Sequence, residues 1–271
     1  MPRKQFSPDG NDETYHVRAV TRALDLVIAL SEGPTSIGLV ALAESVALPP
    51  STAFRLLESL KSRGFVRQTA GGTYELGSRA FEVGSAFLRQ VSLWSQATEI
   101  AEHLADYTQE TASVGILDEG QVLYIAIARG QSEIGIQSAA GTRHPVHCTS
   151  LGKVLLADLA WPQVQQVLKQ RPPVRFTSRT LIEADGFRRE LEHVRVQGFA
   201  LDEEERTPGV ICIGAPLRDH TGRVVGAVSI SGPAFRMRER GVPDMAKQVM
   251  ARAEEASRHL AAPTPKKAQE R

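Results

Sequence analysis

Between residues 17 and 76 apolar side chains recur first three and four apart and then two apart, and the change of period marks out a small domain. Val17, Val20, Leu24, Val27 and Ile28 fall at helical spacing and predict a helix over 17–30, stopped by Gly33-Pro34. Thr35 or Ser36 is expected to cap a second helix running to about residue 46, with Leu39, Leu42 and Ala43 turned inward. Leu48-Pro49-Pro50-Ser51 forms a turn and opens a third helix over 51–63. Proline suits a first helical turn, because its missing N–H would lack a partner there anyway. The third helix sorts its residues sharply: Ala53, Leu56, Leu57 and Leu60 share one face, while Ser51, Thr52, Arg55, Ser59, Ser62 and Arg63 share the other. Arg63-Gly64 ends it, and 65–68 and 73–76 read as a strand–turn–strand wing around Ala70-Gly71-Gly72.

Two more helical stretches follow, over 77–90 and 93–110, which would link two halves of the chain and pair between subunits. From Ser113 the texture changes. Strands are predicted over 114–117, 122–128, 134–138, 210–216 and 224–231, and helices over 151–159, 164–170, 181–196 and 242–260. Asp118-Glu119-Gly120 and Asp219-His220-Thr221-Gly222 read as hairpin turns. Strands joined partly by tight turns give a mixed α/β (α+β) domain with a largely antiparallel sheet, not a doubly wound one. The expected organisation is a disordered 1–14, a winged helix-turn-helix over 15–77, a linker helix over 78–92, a second domain over 93–261 and a disordered tail over 262–271.

Composition narrows the partners. With 42% hydrophobic and 23% charged residues in 271, the chain has globular composition and room for two domains. No apolar run approaches the ~18 residues of a membrane span, so no membrane partner is expected. The polar N-terminus lacks the apolar core of an export signal, and Cys148 and Cys212 do not make a disulfide framework; the expectation is a cytoplasmic protein with reduced thiols. Net charge is only +1, but between 55 and 67 Arg55, Lys61, Arg63 and Arg67 are opposed by Glu58 alone. A helix with one apolar face and one face of hydroxyls and guanidinium groups is what a DNA major groove accepts, and a homodimer would present it twice.

Two blocks carry a family resemblance. The first runs from Val20-Thr21-Arg22-Ala23-Leu24-Asp25-Leu26 through Ser51-Thr52-Ala53-Phe54-Arg55-Leu56-Leu57-Glu58-Ser59-Leu60 to Tyr74-Glu75-Leu76-Gly77. The second comprises His144-Pro145-Val146-His147-Cys148-Thr149-Ser150-Leu151-Gly152-Lys153, then Asp202-Glu203-Glu204 with Pro208-Gly209-Val210-Ile211-Cys212, then Ser229-Ile230-Ser231-Gly232-Pro233. In order and spacing these resemble the IclR family of bacterial transcriptional regulators, over roughly residues 16–260. The resemblance implies a winged helix-turn-helix, a linker helix and a GAF-like effector-binding domain. It also implies a homodimer or homotetramer on double-stranded DNA with a palindromic operator, usually as a repressor of a catabolic operon and in some members as an activator. The effector it implies is a small organic or aromatic acid.

In such a winged domain Ser51, Thr52 and Arg55 lie at the N-terminal part of the recognition helix, where base edges are read; Arg55 has the fork for a guanine and Pro50 the apolar surface for a thymine methyl. Lys61, Arg63 and Arg67 are expected on phosphate, which positions without specifying. The effector pocket carried over from the resemblance comprises Ile136, His144, Ser150, Leu151, Asp202, Val210, Cys212, Ser229 and Ser231. Ser150 and Leu151 would open a helix whose N–H groups attract a carboxylate, although Ser150 also has the ordinary role of an N-cap. Ser229 and Ser231, two apart on a strand, face the same side, and Ile136, Val210 and Cys212 would form an apolar wall. His144 departs from the pattern, since many relatives carry an apolar side chain there.

Two other chemistries compete. His144, His147, Cys148, Asp202 and Cys212 are metal-ligand types, but no Cys/His pair has zinc-finger spacing, and no metal is expected. Cys148-Thr149-Ser150-Leu151-Gly152 lies one residue from a Gly-x-Ser-x-Gly elbow, and Ser150, Asp202 and His220 occur in hydrolase order. The first glycine is missing and His220 falls in a hairpin turn, so no catalytic residue is expected. No phosphate loop or nucleotide fingerprint is present, and no cofactor is expected.

Overall fold

The computed structural model describes residues 17–90, 93–130 and 139–261. The chain divides into two compact units, 1–90 and 91–271.

The first unit contains α1 (Arg18–Glu32), α2 (Leu39–Ser45), α3 (Pro50–Ser62), β1 (Val66–Gln68), β2 (Tyr74–Leu76) and α4 (Ser78–Gln90). Leu26, Leu30, Leu42, Ala43, Ala53, Leu57, Val66 and Tyr74 make its core. Ala53 and Leu57 bury the expected face of α3, while Leu56 and Leu60 are half-buried at its margin. The apolar stripe expected on α1 is not the buried one. Val17, Val20, Leu24 and Ile28 are 53–64% exposed, and α1 docks through Leu26 and Leu30 instead. Both stripes repeat at helical spacing, so periodicity alone could not choose between them.

Helix α2 starts later than the expected cap at Thr35 or Ser36. The Ile37 N–H donates to the Tyr74 carbonyl at 3.0 Å and the Tyr74 N–H to the Ile37 carbonyl at 2.8 Å, so this stretch is extended against the wing. The turn into α3 passes through Ala47 at φ 53°. Pro49 then caps α3, its carbonyl accepting from the Thr52 and Ala53 N–H groups at 3.0 Å each. β1 and β2 pair antiparallel with Arg67 opposite Glu75.

The second unit is one six-stranded antiparallel sheet in the order β5-β4-β3-β8-β7-β6. Its strands are β3 (Thr111–Asp118), β4 (Gln121–Ala128), β5 (Arg143–Pro145), β6 (Ala200–Glu203), β7 (Val210–Arg218) and β8 (Val224–Pro233). One face carries Ile211, Ile213, Val228 and Ile230 and packs on α5 (Trp94–Thr108) and α10 (Val242–Ala261). The other face receives α6 (Ser150–Ala157), backed by α7 (Trp161–Gln170) and α8 (Ala184–Gln197). A short helix, α9 (Ala234–Glu239), follows β8. Three elements had not been predicted: β5 and β6, too short to show alternation, and α9. Helix α8 begins three residues later than expected, because 177–180 is a turn in which the Thr180 hydroxyl accepts from the Phe176 and Thr177 N–H groups. The strand expected over 134–138 and the ends expected to be disordered lie outside the described residues.

Candidate DNA-reading face and effector pocket

On α3, Pro50, Ser51 and Arg55 are exposed and Thr52 is half-buried at the start of the helix. Further along, Ser59 and Ser62 turn their hydroxyls back to the Arg55 and Ser59 carbonyls at 3.0 and 2.7 Å. The four basic groups are not equivalent. Lys61 pairs with Glu58 at 2.5 Å and Arg67 with Glu75 at 3.0 Å. Arg55 and Arg63 are exposed, and among the described residues no carboxylate pairs with either. This surface therefore keeps two whole guanidinium groups in water and two cations held lightly by neighbouring acids.

Several of the residues expected to line the effector pocket come together where the α6 face of the sheet turns polar. Strand register sets Asp202 opposite Cys212 and Cys212 opposite Ser231, and Ser231 opposite Thr111. The adjacent row on the same face holds Gly214, Ser229 and Ser113. Val210 shares that face by its parity with Cys212. The Ser231 hydroxyl donates to the Cys212 sulfur at 3.1 Å. The start of α6 sits directly on this polar strip: a Cβ at Gly214 would lie 3.0 Å from the Ser150 carbonyl carbon, so a side chain there would push the helix off. Gly152 is tighter still, its absent Cβ lying 2.2 Å from the Val146 carbonyl oxygen.

Thr149, not Ser150, caps α6; its hydroxyl accepts from the Gly152 N–H at 3.2 Å. The first intrahelical bond runs from the Lys153 N–H to the Thr149 carbonyl, which leaves the Ser150 and Leu151 N–H groups at the open end of the helix. The Leu151 side chain belongs to the core and not to the pocket wall. His144, on β5, sets its ring edge-on to Tyr124 with centroids 4.5 Å apart, and its Nε2 lies 3.2 Å from the Thr142 hydroxyl. Ile136 lies outside the described residues.

Electrostatics follow burial. Burial pushes the Asp202 carboxyl up to about 6, against the pull of the Glu205 and Arg206 N–H groups that its Oδ1 accepts at 2.8 and 3.2 Å. Burial likewise pushes the Cys148 thiol up to about 12 and raises the Cys212 thiol and the Tyr124 phenol. His144 is held below its usual value, first by burial and then by the Arg206 charge. Beneath the pocket the buried Lys153 ammonium donates to Glu190 at 3.0 Å, to the Leu201 carbonyl at 2.8 Å and to Glu205.

Sequence reasoning passed over Arg206, Tyr124 and Phe176. Arg206 stacks its guanidinium over the Phe176 ring at 4.1 Å, and its charge acts on Tyr124, His144, His147 and Cys148. The available signal was a single basic residue closing the acidic run Asp202-Glu203-Glu204-Glu205.

The competing chemistries find little geometry. Among the described residues no group of three His, Cys, Asp or Glu side chains is placed to hold a metal ion. His147 is held by loop backbone, its Nε2 2.9 Å from the Val174 carbonyl. His220 is exposed in the β7–β8 turn, past the Arg218 end of β7. No helix of the described residues is long and apolar enough to cross a membrane.

Comparison with known proteins agrees over nearly the whole length. The model described as the IclR helix-turn-helix domain matches residues 19–70, and that described as bacterial transcriptional regulator IclR C-terminal matches residues 85–258. The chain is 35% identical to the HTH-type transcriptional regulator BhcR of Paracoccus denitrificans, over 94% of this chain and 92% of that one. It is 32% identical to the transcriptional repressor IclR of Escherichia coli, over 90% of each. The crystal structure of an IclR homologue from Microbacterium hydrocarbonoxydans, complexed with 4-hydroxybenzoate, shares the fold at a TM-score of 0.76, with 23% identity over 89% of this chain and 98% of that one. A recognition helix in a winged unit, a polar strip under a short helix in an antiparallel sheet unit, and matches across both units have one common explanation: the chain belongs to the IclR family of bacterial transcriptional regulators.

Proposed function

We propose that this protein is a repressor of a catabolic operon, released from a palindromic operator when a small organic or aromatic acid fills the pocket beside α6. The observation that carries the DNA half is the exposed Arg55 on the N-terminal half of α3, one turn from Ser51 and Thr52 and with no carboxylate partner among the described residues. Ser51, Thr52 and Arg55 read base edges, with Pro50 against a thymine methyl. Arg63 holds phosphate directly, and Lys61 and Arg67 do so by exchanging their acidic neighbours for the backbone.

In the effector unit the Ser150 and Leu151 N–H groups, the Ser229 and Ser231 hydroxyls and Asp202 supply the polar contacts, with Val210 and Cys212 as apolar wall. His144 completes the pocket. The protein acts as a homodimer or homotetramer in the cytoplasm, so that two winged domains meet two half-sites. The exposed stripe of Val17, Val20, Leu24 and Ile28 on α1 supports pairing with a second copy. The effector works by binding one arrangement of the subunits better than the other, which the helices between Gly77 and Glu110 convey to the spacing of the winged domains.

Footprinting on DNA selected by the protein from random duplex tests this. A protected palindrome that Arg55→Ala no longer protects, with its fold unchanged, is the expected outcome; equal protection by the variant means the recognition helix is misplaced. An activator would protect the same palindrome but raise transcription from it.

A further inference from the structure

We propose that Arg206 is the anion anchor of the effector pocket, the side chain that takes the carboxylate of the acid. This rests on the effector pocket proposed above and names the group that recognises its ligand.

Arg206 stands on the loop between β6 and β7, and that loop is fixed on every side. Glu204 takes φ 63° and Gly209 φ 77°. The Glu204 N–H donates to the Val210 carbonyl and the Gly209 N–H to the Glu204 carboxylate, both at 3.0 Å. Asp202 Oδ1 holds the Arg206 N–H itself at 3.2 Å. The loop carrying Phe176 is stitched to the same turn: the Thr177 hydroxyl donates to the Glu204 carbonyl at 2.8 Å and the Thr180 hydroxyl to the Glu205 carbonyl at 2.7 Å. The guanidinium and the ring it stacks on are therefore positioned together, before any ligand arrives.

What the Arg206 Nε lacks, among the described residues, is a partner. That atom is buried and makes no hydrogen bond. Neighbouring arginines are all engaged: Arg179 and Arg238 with Glu203 and Glu204, and Arg236 with Glu110. Among the described residues no carboxylate lies within ion-pair distance of Arg206, although it closes a run of four acidic residues. Those acids are occupied elsewhere, Glu205 by Lys153 and Asp202 by backbone N–H groups. A buried donor without an acceptor costs free energy, and an acceptor brought by a ligand removes that cost. Stacking on Phe176 uses the face of the guanidinium and leaves its planar fork of N–H groups open at the edge, the geometry that takes a carboxylate in two parallel bonds. Arg206 is half-buried, and its charge acts on Tyr124, His144 and Cys148, the groups of β4, β5 and the stretch before α6. The other fixed donors of the region, the first N–H groups of α6, favour an anion as well.

Full-length protein and its Arg206→Gln and Arg206→Lys variants test this, by calorimetric titration with benzoate, 4-hydroxybenzoate, pyruvate and succinate beside benzamide and 4-hydroxybenzamide. At least one acid should bind the wild type and its amide should not. Arg206→Gln should weaken that acid at least tenfold, and Arg206→Lys should fall between the two. Unliganded Arg206→Gln should melt no lower than wild type, since it removes an unpaired buried donor. Equal binding of the acid by wild type and Arg206→Gln, equal binding of acid and amide, or binding of none of the acids overturns the inference. Operator footprinting on the same proteins separates the two levels. If wild type and Arg206→Gln both protect the palindrome while the acid ignores the substitution, the anchor is wrong and the regulator stands. If the wild type protects no palindrome, the function on which the anchor rests is wrong too.

Discussion

The two units use polar side chains under opposite conditions. On α3, Ser51 and Arg55 stand in water on a helix whose other face carries the core, so their polarity costs nothing until DNA arrives. In the effector unit, Ser229, Asp202 and Ser150 are each 2% exposed, and their polarity has to be matched within the protein. The first arrangement lets specificity change residue by residue without touching stability. The second ties ligand recognition to the energetics of the fold, so substitutions in the pocket should register in melting curves as well as in binding.

Four substitutions sharpen that contrast, in descending size, with Ser51→Ala beside the first of them as the exposed control. Gly152→Ala forces a Cβ to within 2.2–2.6 Å of the Val146 backbone and should destabilise the effector unit by about 4 kcal/mol or more, or prevent its folding, as read by chemical denaturation. Ser51→Ala, at an exposed position, should move stability by less than about 0.5 kcal/mol.

Asp202 comes next. It titrates at 3.8 in the unfolded chain and at about 6 in the fold, faced by Lys153 from α6, Cys212 from β7, Tyr124 from β4, Cys148, and Glu205 and Arg206 from its own loop. Folding thus favours the protonated form. That contribution is fully present below pH 3.8 and is lost as pH rises through about 6, about 3 kcal/mol in all. Asp202→Asn keeps an oxygen for the Glu205 and Arg206 N–H groups and loses nothing with pH. It should match wild type near pH 4 and exceed it above pH 6; a constant difference across that range would show that Asp202 is not forced to ionise in a buried site.

Arg55→Ala should lose about 1–3 kcal/mol of specific operator affinity with an unchanged melting curve. The smallest effect is expected for Arg63→Ala, a uniform weakening on all DNA with the salt slope reduced by about one. If Arg63 instead changes which sequence is selected, the division between readers and backbone contacts fails.

Legibility in the sequence divides along the same line. The α3 faces, the wing and the hairpin turns follow from short-range periodicity and turn chemistry, and the structure has them within a few residues. Periodicity misplaces the docking stripe of α1, because two apolar stripes coexist there and only the tertiary partner decides. β5 and β6 are three and four residues long, below what alternation can reveal. The pocket residues came through family resemblance rather than pattern, because Asp202, Cys212 and Ser231 become neighbours only through strand register across residues far apart in sequence. Arg206 escaped for a related reason: in the sequence it sits among acids, and only the fold shows each acid engaged elsewhere.

Under the proposed function, an acid held in one unit weakens the grip of the other on DNA. Fluorescence anisotropy of labelled operator, selected from random duplex, titrated with wild type in the absence and presence of saturating pocket acid, tests it directly. A fall in operator affinity of at least fivefold on adding the acid, absent in Arg206→Gln, is the predicted result. Operator affinity unchanged at saturating acid would contradict the account.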